Sequence, residues 1–182
     1  MNVRFAEGPV SDFVKNCVDV PRFLACCRDC PNFGRRWSCP PYDYSVEELW
    51  KQYTDILLYE KKVYVDTVLR ERVYSLEEIN EISRELLSPA KKQMTEYLLA
   101  TEGKYPGSRA LYSGMCDICT LCAKELKEQC YHPEKMRYSI EALGGNVAQA
   151  VLIYFDDTIL WAKDGRLPEY YILLGGLLKK HN

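Results

Sequence analysis

The sequence lacks any apolar run long enough to cross a lipid bilayer. Its longest apolar stretch, YYILLGGLL at 170–178, has the length of a strand, whereas a membrane-spanning helix needs roughly 18 apolar residues. The first residues, MNVRFAEGPVSDFVKN, also lack the apolar segment that follows a basic start in a secretory signal. We therefore expect a cytoplasmic protein with no membrane partner.

Excess positive charge and the common nucleotide-binding motifs are absent as well. The 24 Lys and Arg residues are interleaved with 26 Asp and Glu residues, which gives a net charge of −2. Proteins that bind nucleic acid usually present a basic stripe to the phosphates, so nucleic acid is not an expected partner. The chain contains no GxGxxG, P-loop, HExxH or nucleophile-elbow motif, so nothing supports a Rossmann or Walker nucleotide site.

The order of predicted elements indicates a mixed α/β or α+β fold, in one domain over 1–182. A chain of 182 residues that is 47% apolar has enough material for one hydrophobic core. Ser45 with Glu48 and Ser75 with Glu78 form capping-box patterns that predict two helices. The second helix is predicted to end at Gly103, with either a kink or a break into two helices at the proline of RELLSPAKK.

Several segments are predicted to form the strands of a mixed sheet, and the order of the strands in that sheet is left open. TDILLYEKKVYVDTV predicts a strand, or a hairpin with its turn near Lys61, and SRALYSG predicts a short strand. TILWAKDG and EYYILLGGLLKK predict two strands around the turn KDGRLP. NVAQAVLIYFDD is predicted to begin as a helix, with VLIYF as a strand.

Cysteine is the residue in which this chain is unusually rich. Eight of its nine cysteines fall in two boxes, and Cys17 stands alone. The first box holds Cys26, Cys27, Cys30 and Cys39, and the second holds Cys116, Cys119, Cys122 and Cys130. An odd number of cysteines in a reducing compartment does not indicate a disulfide framework. Clustering of this kind indicates metal ligation.

The CxxCxxC sequence at 116–122 is the strongest indication of chemistry. Three thiolates at intervals of three can wrap one side of an inorganic core and leave amides to bond its sulfurs, which favours a [4Fe–4S] cubane. A straight helix from Cys122 would place Cys130 about 12 Å away, at roughly 1.5 Å per residue, too far to share the cluster. Either the helix is short and the chain folds back, or Cys130 serves another site.

The first box resembles a second, looser ligand set. Cys27 and Cys30 have CxxC spacing, and two prolines follow Cys39, where they stiffen the turn. Three arginines lie among these thiols: Arg28, Arg35 and Arg36. Their positive charge would offset an anionic cluster and lower the cysteine pKa values, although a solvated loop position is the simpler interpretation for any one of them.

Zinc is the alternative metal. The pairs Cys27/Cys30 and Cys116/Cys119 suffice for a tetrahedral four-thiolate zinc site that pins loops together. Such a site leaves three cysteines without a role: Cys39, Cys122 and Cys130. Redox-active thiols or disulfides are a further alternative, and spacing alone does not separate these possibilities.

Two other side chains near the boxes are weaker candidates. His132 is either a ligand or, more simply, a hydrogen-bonded loop histidine. Glu141 is either a catalytic carboxylate near the metal or, more simply, part of a solvated helix face. Asp156 and Asp157 are interpreted as a turn at a strand end.

Taken together, the boxes resemble a family of small prokaryotic proteins, frequent in anaerobes, that is described as predicted metal-binding proteins of unknown function. The resemblance covers most of the chain and rests on CRDCPNFGRRWSCPP at 27–41, SGMCDICTLC at 113–122 and CYHPEKMRYSIEALGGNV at 130–147. It implies metal ligation by seven cysteines: Cys27, Cys30, Cys39, Cys116, Cys119, Cys122 and Cys130. Cys17 and Cys26 lie outside the pattern.

Seven cysteines are one fewer than two complete cubanes need. Either one cluster has three thiolates and an iron open to water, substrate or a partner's group, or Cys26 completes it. The leading hypothesis is an iron-sulfur protein with one or two [4Fe–4S] clusters that carries electrons for a partner protein. The alternatives are an enzyme that uses an open iron as a Lewis acid or sulfur acceptor, and a zinc-stapled interaction module.

Overall fold

A four-stranded sheet and six α-helices form an α+β fold in the computed structural model, which describes residues 3–180. The strands are β1 (Val3–Pro9), β2 (Asp55–Tyr64), β3 (Arg109–Leu111) and β4 (Tyr170–Lys179). They lie in the order β1-β2-β4-β3. The sheet was expected to be mixed, but each of these pairs is antiparallel.

The helices are α1 (Val10–Cys17), α2 (Val20–Arg28), α3 (Val46–Trp50), α4 (Thr67–Arg70), α5 (Leu76–Glu102) and α6 (Val147–Phe155). Two of the six helices, α3 and α5, start where the capping patterns predicted. Ser45 caps α3, and Ser75 with Glu78 forms a complete capping box on α5. Helix α5 continues through Pro89, so the two-helix alternative is wrong. Within residues 3–180, no helix combines the length and the apolar character needed to cross a bilayer.

Strand β2 runs without a break, so the hairpin alternative near Lys61 is wrong. The charged EKK segment stays in the strand because Glu60, which is 1% exposed, is paired. Arg4 lies directly opposite it on β1 and donates from Nε to a Glu60 carboxylate oxygen at 3.0 Å. A buried carboxylate needs such a partner, and this one is 56 residues away in sequence.

Two strand predictions are wrong in the last third of the chain. VLIYF belongs to α6, whose first turn is capped by the Asn146 side chain accepting from the Gln149 N–H. TILWA at 158–162 forms no strand among the described residues, and Trp161 within it is 74% exposed. The EYYILLGGLLKK strand is confirmed as β4.

Helices cover both faces of the sheet. Because side chains alternate along a strand, Leu173 and Leu177 of β4 pack with Met94 and Leu98 of α5. The intervening residues Leu174 and Leu178 face the opposite layer, which contains α1, α3 and α6. The two cysteine-bearing segments, 29–45 and 112–146, lie in the connections between these elements.

A buried ion pair ties the second cysteine segment to α5. Glu102 accepts two bonds from Arg137, at 2.7 and 2.6 Å, and a third from the Ala110 N–H at 2.6 Å. Burial alone would raise the pKa of Glu102, but these hydrogen bonds and the charge of Arg137 hold it below its usual value. The side chains of Glu102 and Arg137 are 15% and 7% exposed, so solvent screens the pair weakly.

Replacing Glu102 with glutamine is expected to lower the free energy of unfolding by about 2 kcal/mol, because Arg137 keeps its buried charge without a counter-ion. The pKa of Glu102 is lower in the folded than in the unfolded protein. The stability that its charge contributes is therefore fully present above the unfolded pKa of about 4.3, and it is lost as pH falls through the folded pKa. Urea unfolding between pH 7 and pH 3 should show the two proteins converging in acid. Glu85→Gln, at an exposed position of α5, is the control and should match the parent. Equal stability of the Glu102 variant and the parent at pH 7 would contradict the prediction.

Candidate metal centre

The first cysteine segment leaves α2 as a series of tight turns. The Cys30 N–H donates to the Cys27 carbonyl at 3.0 Å, and the Gly34 N–H donates to the Pro40 carbonyl at 2.7 Å. These bonds satisfy the backbone locally without a helix or a strand. The loop between Cys30 and Cys39 is thereby closed on itself, and its cysteines are held near the end of α2.

Cys27, in the last turn of α2, and two cysteines of this segment line one cavity. Cys27, Cys30 and Cys39 border a solvent-open space of about 560 Å³. Other lining residues come from the second segment, among them Ser139 and Glu141. The structure therefore brings together the three cysteines that the family resemblance implicates in the first box.

The second cysteine segment folds back between Cys122 and Cys130. The 3₁₀ turn Ala123–Leu126 is short, and Lys127 then takes a left-handed conformation with φ 61°. The Glu128 N–H donates back to the Ala123 carbonyl at 3.0 Å. The backbone therefore takes the fold-back alternative, and Cys130 returns toward the CxxCxxC segment.

All four cysteines of the second set line one cleft that is open to solvent: Cys116, Cys119, Cys122 and Cys130. Each of these thiols is partly exposed. Ile118, Trp37 and Met136 supply much of the remaining wall, so the surroundings are largely apolar. His132 also lines this cavity; its side chain is 45% exposed and lies 3.9 Å from Glu134.

The two sets meet at Ser38. This residue is 1% exposed, and its Oγ accepts from the Cys116 N–H at 3.2 Å. The same Oγ lies 3.9 Å from the Cys39 sulfur. One buried hydroxyl therefore touches a backbone amide of the second set and a thiol of the first.

Positive side chains join the two segments, a role that was not predicted for the arginines from the sequence. Arg36 donates to the Cys116 carbonyl at 3.3 Å, and Lys124 donates to the Cys39 carbonyl at 3.4 Å. Arg35 pairs with Glu125 of the second segment nearer the surface, and Arg28 is exposed. Cationic charge at the site thus comes from Arg36 and from Lys124, which spacing of the cysteines did not indicate.

Three of the thiols in the two sets are shifted toward their neutral form. Burial raises the pKa of Cys27, Cys39 and Cys116. Neighbouring thiols add to this: Cys30 raises the pKa of Cys27, while Cys130 and Cys119 raise that of Cys116. A bound metal ion reverses this balance because only the thiolate is a ligand, so metal binding at either set releases protons.

Glu141 does not lie on a solvated helix face, so the simpler interpretation of this residue is wrong. Its Oε2 atom is buried and has no hydrogen-bond partner within the described chain. Burial raises the pKa of the carboxyl group, which backbone and Ser139 hydrogen bonds offset only in part. The 3₁₀ turn that begins at Glu141 packs on α2 through Gly144, a contact that sequence periodicity did not reveal.

A second cavity adjoins the first set and was not indicated by the sequence. It has a volume of about 590 Å³ and shares Cys27 and Glu141 with the cavity of the first set. Leu24, Tyr42 and Tyr44 are among its apolar and aromatic lining residues.

The remaining cysteines and the paired-knuckle zinc site are separate from these sets. Cys17 is buried in the core, which raises its pKa to about 11, and Cys26 is exposed. The Cys27/Cys30 and Cys116/Cys119 pairs line different cavities rather than one. Across residues 3–180, no group of three or more Cys, His, Asp or Glu side chains is arranged to hold a single metal ion.

Comparison with known proteins places the chain in a family. The model of the family DUF2284, described as "Predicted metal-binding protein", matches residues 15–157. The matched range contains both cysteine sets, Ser38 and Glu141. No curated protein and no solved structure matches the chain.

Proposed function

Because the chain belongs to this family of predicted metal-binding proteins, we propose that it binds [4Fe–4S] clusters at its two cysteine sets and serves as an electron-transfer or redox accessory protein. The observation that carries the proposal is the second set: four cysteines, one of them brought back by a reversal of the chain, line a single cavity. Thiolates are the soft ligands that select iron-sulfur clusters and zinc.

The second set has the donors and the surroundings that suit a cubane. Four thiolates complete the ligand set of a [4Fe–4S] cluster. The Ile118 N–H is placed to bond the Cys116 sulfur, and the apolar wall limits water around it. In a cubane, an iron lies between each cysteine sulfur and the centre of the cluster. The four cysteines that bind a cubane are therefore further apart than four cysteines that bind a single zinc ion.

The first set supports a second candidate function. Its cavity holds three thiols, one fewer than a complete cubane needs, and it adjoins the cavity lined by Tyr42 and Tyr44. Three thiolates leave one iron open, and the adjoining space is open to solvent, so a small molecule can enter it. This arrangement favours an enzyme in which that iron acts on a bound substrate as a Lewis acid or sulfur acceptor.

Electron exchange with a partner protein fits the surface beside the second set. Leu121, Leu126 and Tyr131 are each about half exposed there, with relative exposures of 50%, 50% and 54%. Such side chains supply the apolar contacts of a transient interface. When bound, a cluster supplies one-electron transfer. We assign the protein to the cytoplasm, where thiols stay reduced.

Anaerobic purification followed by iron, acid-labile sulfide and zinc assays tests the proposal. With both sets loaded, we expect about eight irons and eight sulfides per chain. Reduction with dithionite should then produce an electron paramagnetic resonance signal. A colourless protein that contains zinc and no sulfide would overturn the proposal and favour the zinc-stapled module.

A substrate-dependent spectrum separates carrier from enzyme. A carrier should show the same resonance spectrum with and without small molecules, and it should exchange electrons with a partner protein. An enzyme with an open iron should show a spectral change when a molecule enters the cavity beside Tyr42. Screening small neutral and anionic compounds for such a change distinguishes the two functions.

A further inference from the structure

The cavity of the three-cysteine set is completed by a carboxylate. Glu141 lines it together with Cys27, Cys30 and Cys39. Its Oε2 atom is buried and has no hydrogen-bond partner among residues 3–180. Leaving a buried carboxylate oxygen without a partner is costly, so such an atom indicates a ligand that the protein chain itself does not supply.

The position of Glu141 is fixed by α2, the helix that carries Cys27. Glu141 begins the 3₁₀ turn Glu141–Leu143, after which Gly144 takes φ +78°. A Cβ at Gly144 would lie 2.7 Å from the Val20 Cα, so the turn packs directly on the start of α2. The Asp19 N–H also donates to the Gly144 carbonyl at 2.9 Å. Cys27 lies near the other end of α2, so one rigid contact sets both groups.

We propose that Glu141 is the fourth protein ligand of the metal centre held by Cys27, Cys30 and Cys39. The inference rests on the proposed function, since it takes those cysteines as ligands to iron. In this assignment Glu141 takes the place of Cys26 as the fourth ligand, because Cys26 is exposed and does not line the cavity. A carboxylate oxygen is a harder donor than a thiolate and binds iron less tightly in such a cluster. An incoming small molecule should therefore displace Glu141 from its iron more readily than it displaces a cysteine.

Mössbauer spectroscopy of the full chain loaded with ⁵⁷Fe tests the assignment. The parent should show one iron subsite with the parameters of oxygen ligation, distinct from the sulfur-ligated irons. Glu141→Cys should abolish that distinct subsite, because all ligands are then thiolates. Glu141→Gln, which keeps the shape but weakens the donor, should lose that iron several-fold more readily on mild oxidation, giving the resonance signal of a three-iron cluster.

Glu47→Gln is the matched control, because Glu47 is an exposed carboxylate that lines the adjoining cavity. Its spectra should equal those of the parent. If the iron-loaded Glu141→Cys variant still showed the distinct iron subsite, the inference about Glu141 would be overturned and the proposed function would stand. A parent without iron at the first set would overturn both. Using two variants keeps the test decisive when one of them fails to fold.

Discussion

Replacing Cys119 and Cys122 together with alanine is expected to remove about four irons and four sulfides per chain and to leave about as many behind. The reason is the separation of the cysteines: the second set lines its own cavity, and the variant keeps only Cys116 and Cys130 there. Two thiolates do not hold a cubane. The reciprocal variant, Cys27→Ala with Cys30→Ala, should retain the other half of the metal.

Cys17→Ala with Cys26→Ala is the matched double control, since neither residue belongs to a set. Cys17 is buried and Cys26 is exposed, so this variant should keep the parent's metal content. Iron and sulfide assays on anaerobically purified protein provide the measurement. If either of the first two variants lost all of its metal, or none, the assignment of two separate centres would be wrong.

Replacing Trp50 with alanine is expected to lower the free energy of unfolding by about 5 kcal/mol. Truncating a fully buried tryptophan costs about 3–5 kcal/mol, and Trp50 is 1% exposed and packs on Phe13 with ring centroids 5.5 Å apart. Its Nε1 also donates to the buried Leu143 carbonyl at 3.0 Å, so the variant leaves that acceptor without its donor. A loss of this size brings a typical domain close to unfolding.

Trp161 provides the matched control for that change. It is 74% exposed, so Trp161→Ala should alter stability by less than about 0.5 kcal/mol. Trp50→Phe keeps most of the ring but loses the donor, and it should fall between the two. Urea unfolding followed by circular dichroism, at the same metal content, measures all three. Equal stabilities of the Trp50→Ala and Trp161→Ala variants would contradict the packing described here.

Local patterns predicted those elements whose determinants lie close together in sequence. The capping residues Ser45 and Ser75 each bond an N–H three residues away, so their helices were predicted from a short window. Strand β2 was ambiguous because the partner of Glu60 is Arg4, on a different strand. VLIYF was mistaken for a strand because an apolar run suits either structure, and only the Asn146 cap favoured a helix.

Parts of the candidate site were likewise predictable from local sequence, and other parts were not. Cysteine spacing was enough to separate the two sets, because the cysteines of each set lie close together in sequence. The environment of Glu141 was not predictable, since the turn that carries it packs on α2 through Gly144, more than 100 positions away in sequence. The roles of Ser38 and Lys124 likewise depend on contacts between segments 78 and 85 residues apart.

The buried hydroxyl of Ser38 also bears on how the two centres communicate. Its contacts with the Cys116 N–H and the Cys39 sulfur leave no solvent layer between the sets at that point. We expect a change of occupancy or charge at one centre to alter the orientation of this hydroxyl and hence the metal affinity of the other centre. Thermodynamic linkage makes that influence equal in both directions, so loading either centre should change the metal affinity of the other by the same factor.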